Sequence, residues 1–298
     1  MGSARTLLAA MIVAAGAVGF AVGGQAGAQT ACGPAWRQET VLAGRGELEN
    51  LAPDEHGGVY FGELAKGVHH VDAQGRVREI APADVQATGM QLSGTALYVL
   101  GALGPQGGAL WKIDTVTGVR TRVVTGLAGP NGLLRLPDGD FLMTRPGFGD
   151  QAGPPTGIAR FHPGDRTARE WAPPLFSDGI ALSEDHRAIY TSNIVTGQIL
   201  RVPLDDPRHW TVVARLPGIL PGPDDLAVTK RGDILATGHV DGNIYRINAR
   251  TGQTCVIASG LGLGWVGPSS VRIGPDGRGW VLWLTDFDGT LRRLRPPP

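Results

Sequence analysis

Gly129-Pro130-Asn131-Gly132-Leu133, running into Leu136-Pro137-Asp138-Gly139-Asp140, is one unit of an array that fills most of the chain. A near copy stands at Gly222-Pro223-Asp224-Asp225-Leu226, with its turn at Lys230-Arg231-Gly232-Asp233. Another opens at Gly267-Pro268-Ser269-Ser270-Val271 and turns at Gly274-Pro275-Asp276-Gly277-Arg278. Weaker copies start at Glu49-Asn50-Leu51, at Gly89-Met90-Gln91 and at Ser177-Asp178-Gly179-Ile180. The equivalent positions Glu49, Gly89, Asn131, Asp178, Asp224 and Ser269 are separated by 40, 42, 47, 46 and 45 residues. Short β-like segments with glycine turns at that period are the signature of a β-propeller, so the chain is expected to be all-β with six blades.

The turns divide each repeat into four strands. In the fifth, these are expected at 225–229, 233–237, 243–247 and 253–258, with Tyr245 and Ile247 facing away from Ile244, Arg246 and Asn248. The sixth repeat lacks a fourth strand before the chain reaches Pro296-Pro297-Pro298. Its substitute is expected at the other end, where Gln38-Glu39-Thr40-Val41-Leu42-Ala43-Gly44 matches Gln253-Thr254-Cys255-Val256-Ile257-Ala258-Ser259. An N-terminal strand that completes the last blade closes the ring and removes its exposed edges.

Residues 1–28 read as a secretory leader. Arg5 supplies the positive start, Leu7 to Val22 an apolar run, and Gln25-Ala26-Gly27-Ala28 a small-residue cleavage site. An uncleaved membrane anchor is the alternative. The remaining 29–298 form one propeller domain, expected to be secreted or periplasmic, monomeric and free of the membrane after cleavage. With 27 basic and 27 acidic residues the formal charge is zero, which gives no support to nucleic acid as a partner. An exported chain keeps its disulfides. The closing strand brings Cys32 near the fifth and sixth blades, so a bridge to Cys255 is expected, with two unrelated buried thiols as the alternative.

A residue that starts the innermost strand of a blade points into the axial channel, so residues one repeat apart in sequence converge around the axis. Glu49, Asn131, Asp178 and Asp224 place oxygen donors at four of six such positions, a set suited to a hard divalent cation. Each alone is equally a turn former beside Gly or Pro.

Six repeats, a closing N-terminal strand and these four residues resemble the gluconolactonase and senescence-marker-protein (regucalcin-like) family, and more widely the paraoxonases and diisopropyl-fluorophosphatases. The resemblance implies a divalent cation in the channel, usually Ca²⁺ with Zn²⁺, Mg²⁺ or Mn²⁺ as alternatives. The family holds it on a Glu of the first blade, an Asn of the third, an Asn of the fourth and an Asp of the fifth. Glu49, Asn131 and Asp224 match that set, and Asp178 stands where the family has Asn. The added carboxylate should raise the pKa of any carboxylate left uncoordinated. Asp225 is open between a further ligand and a residue facing away from the channel.

Substrate contacts are expected where the second strands return to the cation's level: Glu63, Arg145, Asn193, His239 and Trp283, with Phe148 and Trp265 from loops. The family's Asp-Pro-x-x-Gly stretch appears as Arg145-Pro146-Gly147-Phe148-Gly149. Many gluconolactonases carry an Arg two residues before the Asn ligand; here that place is Gly129, a departure from the pattern that accompanies sugar-lactone specificity. The resemblance implies an exported hydrolase of a lactone or related ester with a small-molecule substrate, the cation acting as a Lewis acid and Asp224 activating water. His239 is the histidine at the rim and a candidate for the same proton transfer. A non-catalytic binding propeller with a structural metal and a strictosidine-synthase-like enzyme are the competing readings. No Gly-x-Ser-x-Gly elbow or phosphate loop occurs, so serine-nucleophile and nucleotide chemistry have no support.

Overall fold

Strand-forming segments separated by glycine turns can bury both sheet faces only by stacking on their neighbours, and this chain does so in a ring. In the computed structural model, residues 30–101, 107–147, 156–165, 167–173, 176–262, 264–277 and 279–297 are described. The leader segment and Phe148 lie outside them. Among the described residues there are six antiparallel four-stranded sheets and no helix. In the fifth blade the strands are Leu226–Val228, Ile234–Gly238, Asn243–Ile247 and Thr254–Ala258, within a residue or two of their expected bounds. Each blade runs from an inner strand on the channel to an outer one, largely exposed in Val77–Ala81 and half-buried in Thr254–Ala258, which the N-terminal segment partly covers.

Six apolar clusters hold the ring, one between each pair of neighbouring blades. Between the fourth and fifth, Tyr190, Ile199 and Leu216 meet Leu226, Ala236, Tyr245 and Ile247. Between the sixth and first, Val281, Trp283 and Leu291 meet Leu48, Leu51 and Phe61. The side chains of Ile244, Tyr245 and Ile247 are all fully buried although they alternate between faces, because each inner sheet packs on both sides.

The ring closes as expected. Arg37–Leu42 pairs antiparallel with Leu291–Arg295, Gln38 opposite Leu294, and is the fourth strand of the sixth blade. Arg293 adds an ion pair to Glu39, and Trp36 meets Trp280 edge-on at 5.5 Å. Just upstream the chain crosses to the fifth blade. Ala31 bridges Val256 in parallel, the Cys32 amide donates to the Val256 carbonyl at 2.9 Å, and Cys32 is disulfide-bonded to Cys255. The first residues of the domain therefore fasten two blades.

Candidate active site

The inner strands start so close to the axis that side-chain volume decides which residues fit there. A Cβ on Gly132 would lie 2.6 Å from the Asp178 carbonyl oxygen, and one on Gly179 would lie 2.7 Å from that of Asp224. Asn131-Gly132 and Asp178-Gly179 are thus not turns. The glycine lets the next blade's backbone pass, and the residue before it faces the channel. At the second blade the register corrects the sequence expectation by one residue. Ala87 lies opposite Gly101, so the equivalent position is Thr88, whose Oγ1 is 3.2 Å from the Leu100 carbonyl and 3.3 Å from that of Pro130. Gly89 is the close-approach glycine, where a Cβ would lie 2.6 Å from the Asn131 carbonyl oxygen.

A ring of hydroxyls fixes these strand starts. Thr144 Oγ1 accepts from the Gly132 amide at 2.7 Å and donates to the Asp178 carbonyl of the next blade. Ser192 Oγ accepts from the Gly179 amide at 2.9 Å and reaches the Asp224 carbonyl at 3.5 Å. Thr285 Oγ1 donates to the Glu49 carbonyl at 3.2 Å. A buried hydroxyl of one blade thereby orients the channel-facing residue of its neighbour, and leaving any of these groups unpaired would be costly.

The carboxylates so placed repel one another. Glu49, Asp178 and Asp224 are all buried. Burial, then the charges of Asp224 and Asp225, pushes Glu49 well above the usual carboxylate range; burial, then Asp224 and Glu49, does the same to Asp178. Asp224 is raised by burial and by Asp225. Asp178 and Asp224 are close enough that the charge of Asp224 raises Asp178 further. This is the direction expected of a carboxylate in place of an amide at position 178.

Asp225 faces away. Its Oδ1 accepts from the Leu226 amide at 2.8 Å, and its Oδ2 accepts from the Val271 amide at 3.2 Å, from Ser270 Oγ and from Arg272 Nη1. With its acceptor sites taken up by the sixth blade, it joins two blades.

His239 borders the carboxylates. It is 4% exposed, with Nδ1 3.4 Å from Asp224 Oδ2. The ring hydrogen-bonds the Pro268 carbonyl and is wedged between Phe287, edge-on at 4.9 Å, and Trp265 at 6.1 Å. Burial pushes its pKa down to about 4, so the imidazole is neutral.

The other expected rim residues divide. Glu63 is fully buried and held by Arg45, Lys66 and the Gly46 amide, each at 2.8 Å; burial alone would raise its pKa, and these partners bring it below the usual range. Arg145 turns outward, with Nη2 donating to the Thr156 carbonyl at 3.1 Å and lying 3.9 Å from Glu170 of the outer strand. Asn193 Oδ1 caps its loop by accepting from the Thr196 amide at 3.0 Å.

Trp283 corrects the sequence expectation. It is buried in the core between the sixth and first blades, beneath Arg293, and does not reach the rim. The strand Gly279–Asp286 continues past it, and the residue at that level is Asp286, opposite Pro268. Asp286 is fully buried, and burial pushes its pKa up to about 7 against the pull of Arg292 Nε at 3.0 Å.

Whether this channel suits a cation can be read from its unpaired donors. Among the described residues, Glu49 Oε2, Asp178 Oδ1 and His239 Nδ1 are buried without a hydrogen-bond partner. Clustered, orphaned carboxylate oxygens that resist ionisation are what a divalent charge would relieve. As the side chains stand, no three His, Cys, Asp or Glu residues among those described close on a single metal-sized point. The chemistry of the donors fits a cation.

The profile of a family described as SMP-30/Gluconolactonase/LRE-like region matches residues 109–259. No curated protein sequence matches the chain at a significant level. Among solved structures, a gluconolactonase from Xanthomonas campestris superposes with a TM-score of 0.71 at 20% identity, over 88% of this chain and 90% of its own. Regucalcin from Agrobacterium tumefaciens, described as a calcium-binding protein, gives 0.68 at 20% identity over 87% and 93%. A luciferin-regenerating enzyme gives 0.67 at 15% identity over 88% and 95%. At these identities the structural likeness shows the fold.

Proposed function

Because this chain belongs to the SMP-30/gluconolactonase/LRE-like family, we propose that it hydrolyses a lactone or related ester with the help of a divalent cation in its channel. The observation that supports this most is the set of buried, unpartnered donors on Glu49 and Asp178 beside Asp224. Glu49, Asn131, Asp178 and Asp224 would hold the cation, which when bound would supply Lewis-acid polarisation of the ester carbonyl. The gluconolactonase and calcium-binding regucalcin among its structural neighbours agree with this reading.

The chain's own residues divide the remaining work. Asp224, held through its backbone by Ser192 and facing the axis, takes the proton from the attacking water. Close packing of His239 by Trp265 and Phe287 limits solvent on that side. The disulfide agrees with export to an oxidising compartment, and we place the mature protein there as a monomer acting on a small molecule.

Two isosteric variants test the assignment. Glu49→Gln removes a ligand charge only, whereas Asp224→Asn removes a ligand charge and the base. With cation resupplied in excess, Asp224→Asn should remain slower than Glu49→Gln by about a hundredfold or more, the worth of general-base assistance. Equal losses that excess cation restores would make Asp224 a ligand only. Wild-type protein that hydrolyses no lactone would favour a binding propeller.

A further inference from the structure

His239 carries a buried nitrogen that the hydrolytic scheme leaves without a partner. The ring donates one hydrogen bond, to the Pro268 carbonyl. Since Nδ1 is the ring nitrogen without a partner, that donor is Nε2–H. The neutral tautomer with hydrogen on Nε2 leaves a bare lone pair on Nδ1. That lone pair is on the side of Asp224, 3.4 Å from Oδ2 without forming a hydrogen bond. Phe287 and Trp265 pack against the ring, and the His239 amide is tied to the Gly222 carbonyl at 2.9 Å at the start of the same blade.

A histidine whose outer N–H is fixed by a backbone carbonyl and whose other nitrogen is bare, buried and beside a carboxylate has the arrangement of a metal-ligating histidine. Accepting the reading above that a cation occupies the channel, we propose that His239 binds it through Nδ1. The site would then combine one imidazole with the carboxylates of Glu49, Asp178 and Asp224, and prefer a transition-type divalent cation such as Zn²⁺, Mn²⁺ or Co²⁺ over Ca²⁺. Ca²⁺ takes oxygen ligands, whereas an imidazole among carboxylates suits the borderline cations. The assignment moves His239 from proton transfer to cation binding and leaves Asp224 as the base.

The test is competitive binding of Zn²⁺ and Ca²⁺ to metal-stripped full-length protein, wild type against His239→Gln, with the visible spectrum of bound Co²⁺ as a second readout. Wild type should bind Zn²⁺ more tightly than Ca²⁺. His239→Gln should lose Zn²⁺ affinity by about a hundredfold with little change for Ca²⁺, and its Co²⁺ spectrum should change. Nitrogen-15 histidine spectra of unmutated protein avoid dependence on the variant's folding: Zn²⁺ should shift the Nδ1 resonance of one histidine. Cation binding with Ca²⁺ preferred, or with no shifted histidine, would overturn the assignment and leave the cation reading standing. Failure of every cation to bind would overturn both.

Discussion

Replacing Asp286 by Asn is expected to stabilise the protein at neutral and alkaline pH. The carboxyl is fully buried at the end of the strand Gly279–Asp286. One oxygen is paired with Arg292 and Thr290, and the other has no partner among the described residues. Burial raises its pKa from 3.8 to about 7 despite the neighbouring guanidinium. At 1.36 kcal/mol per unit, a difference of this size puts about 4 kcal/mol between the charged and neutral forms. The sign follows from linkage: a carboxyl whose folded pKa lies above its unfolded value stabilises fully below pH 3.8, and that contribution is lost as pH rises toward 7. Asparagine keeps the shape without the charge. At pH 8 the variant should gain about 2 kcal/mol or more, which for a chain of this size raises Tm by roughly 5 °C. At pH 4 the two proteins should be nearly equal. The assay is denaturation at several pH values with chelator present, so that the channel carboxylates are in the same state in both proteins. A variant less stable at pH 8, or a difference independent of pH, would refute the reasoning and show that the Arg292 pair stabilises the charged form.

Gly132→Ala should destabilise by about 1–3 kcal/mol through overpacking, because its Cβ would lie 2.6 Å from the Asp178 carbonyl; unchanged stability in thermal denaturation would mean the blades can move apart at the axis. Replacing both Cys32 and Cys255 by serine opens a loop with a sequence separation of 223, which chain entropy values at about 5 kcal/mol, and chemical denaturation should show a lower midpoint. An unaltered midpoint would mean the paired strand Arg37–Leu42 alone fastens the N-terminus.

The repeat was legible because the positions facing the axis recur at nearly constant spacing, and Glu49, Asn131, Asp178 and Asp224 follow from it directly. What surrounds them was less so. Asp225 is adjacent to Asp224, yet strand alternation turns it toward Arg272, and only the register shows which of two neighbouring carboxylates faces in. Trp283 falls short of the rim because the inner strands of the sixth blade, Pro268–Asp276 and Gly279–Asp286, are longer than those of the fifth, so the strand's end lies three residues further on. The hydroxyl ring left a trace in sequence, a Thr or Ser near the end of the second strand at Thr144, Ser192, Thr237 and Thr285. For Thr144, Ser192 and Thr285 the role emerges only when the next blade is seen to present a carbonyl, whereas Thr237 holds Asp225 of its own blade. The glycines after Asn131 and Asp178 look like turn residues in sequence and are instead sites of close approach between blades.

The central claim is that the channel carboxylates hold a cation needed for hydrolysis. The most direct measurement follows the rate of lactone hydrolysis by metal-stripped protein as cation is added in known equivalents across a small panel of lactones. The account expects no turnover in chelator and a rate that rises with cation and levels off at about one equivalent, the coordination capacity of a single oxygen-rich site. Hydrolysis that is undiminished in chelator, or cation that binds at one equivalent without producing any turnover, would contradict it.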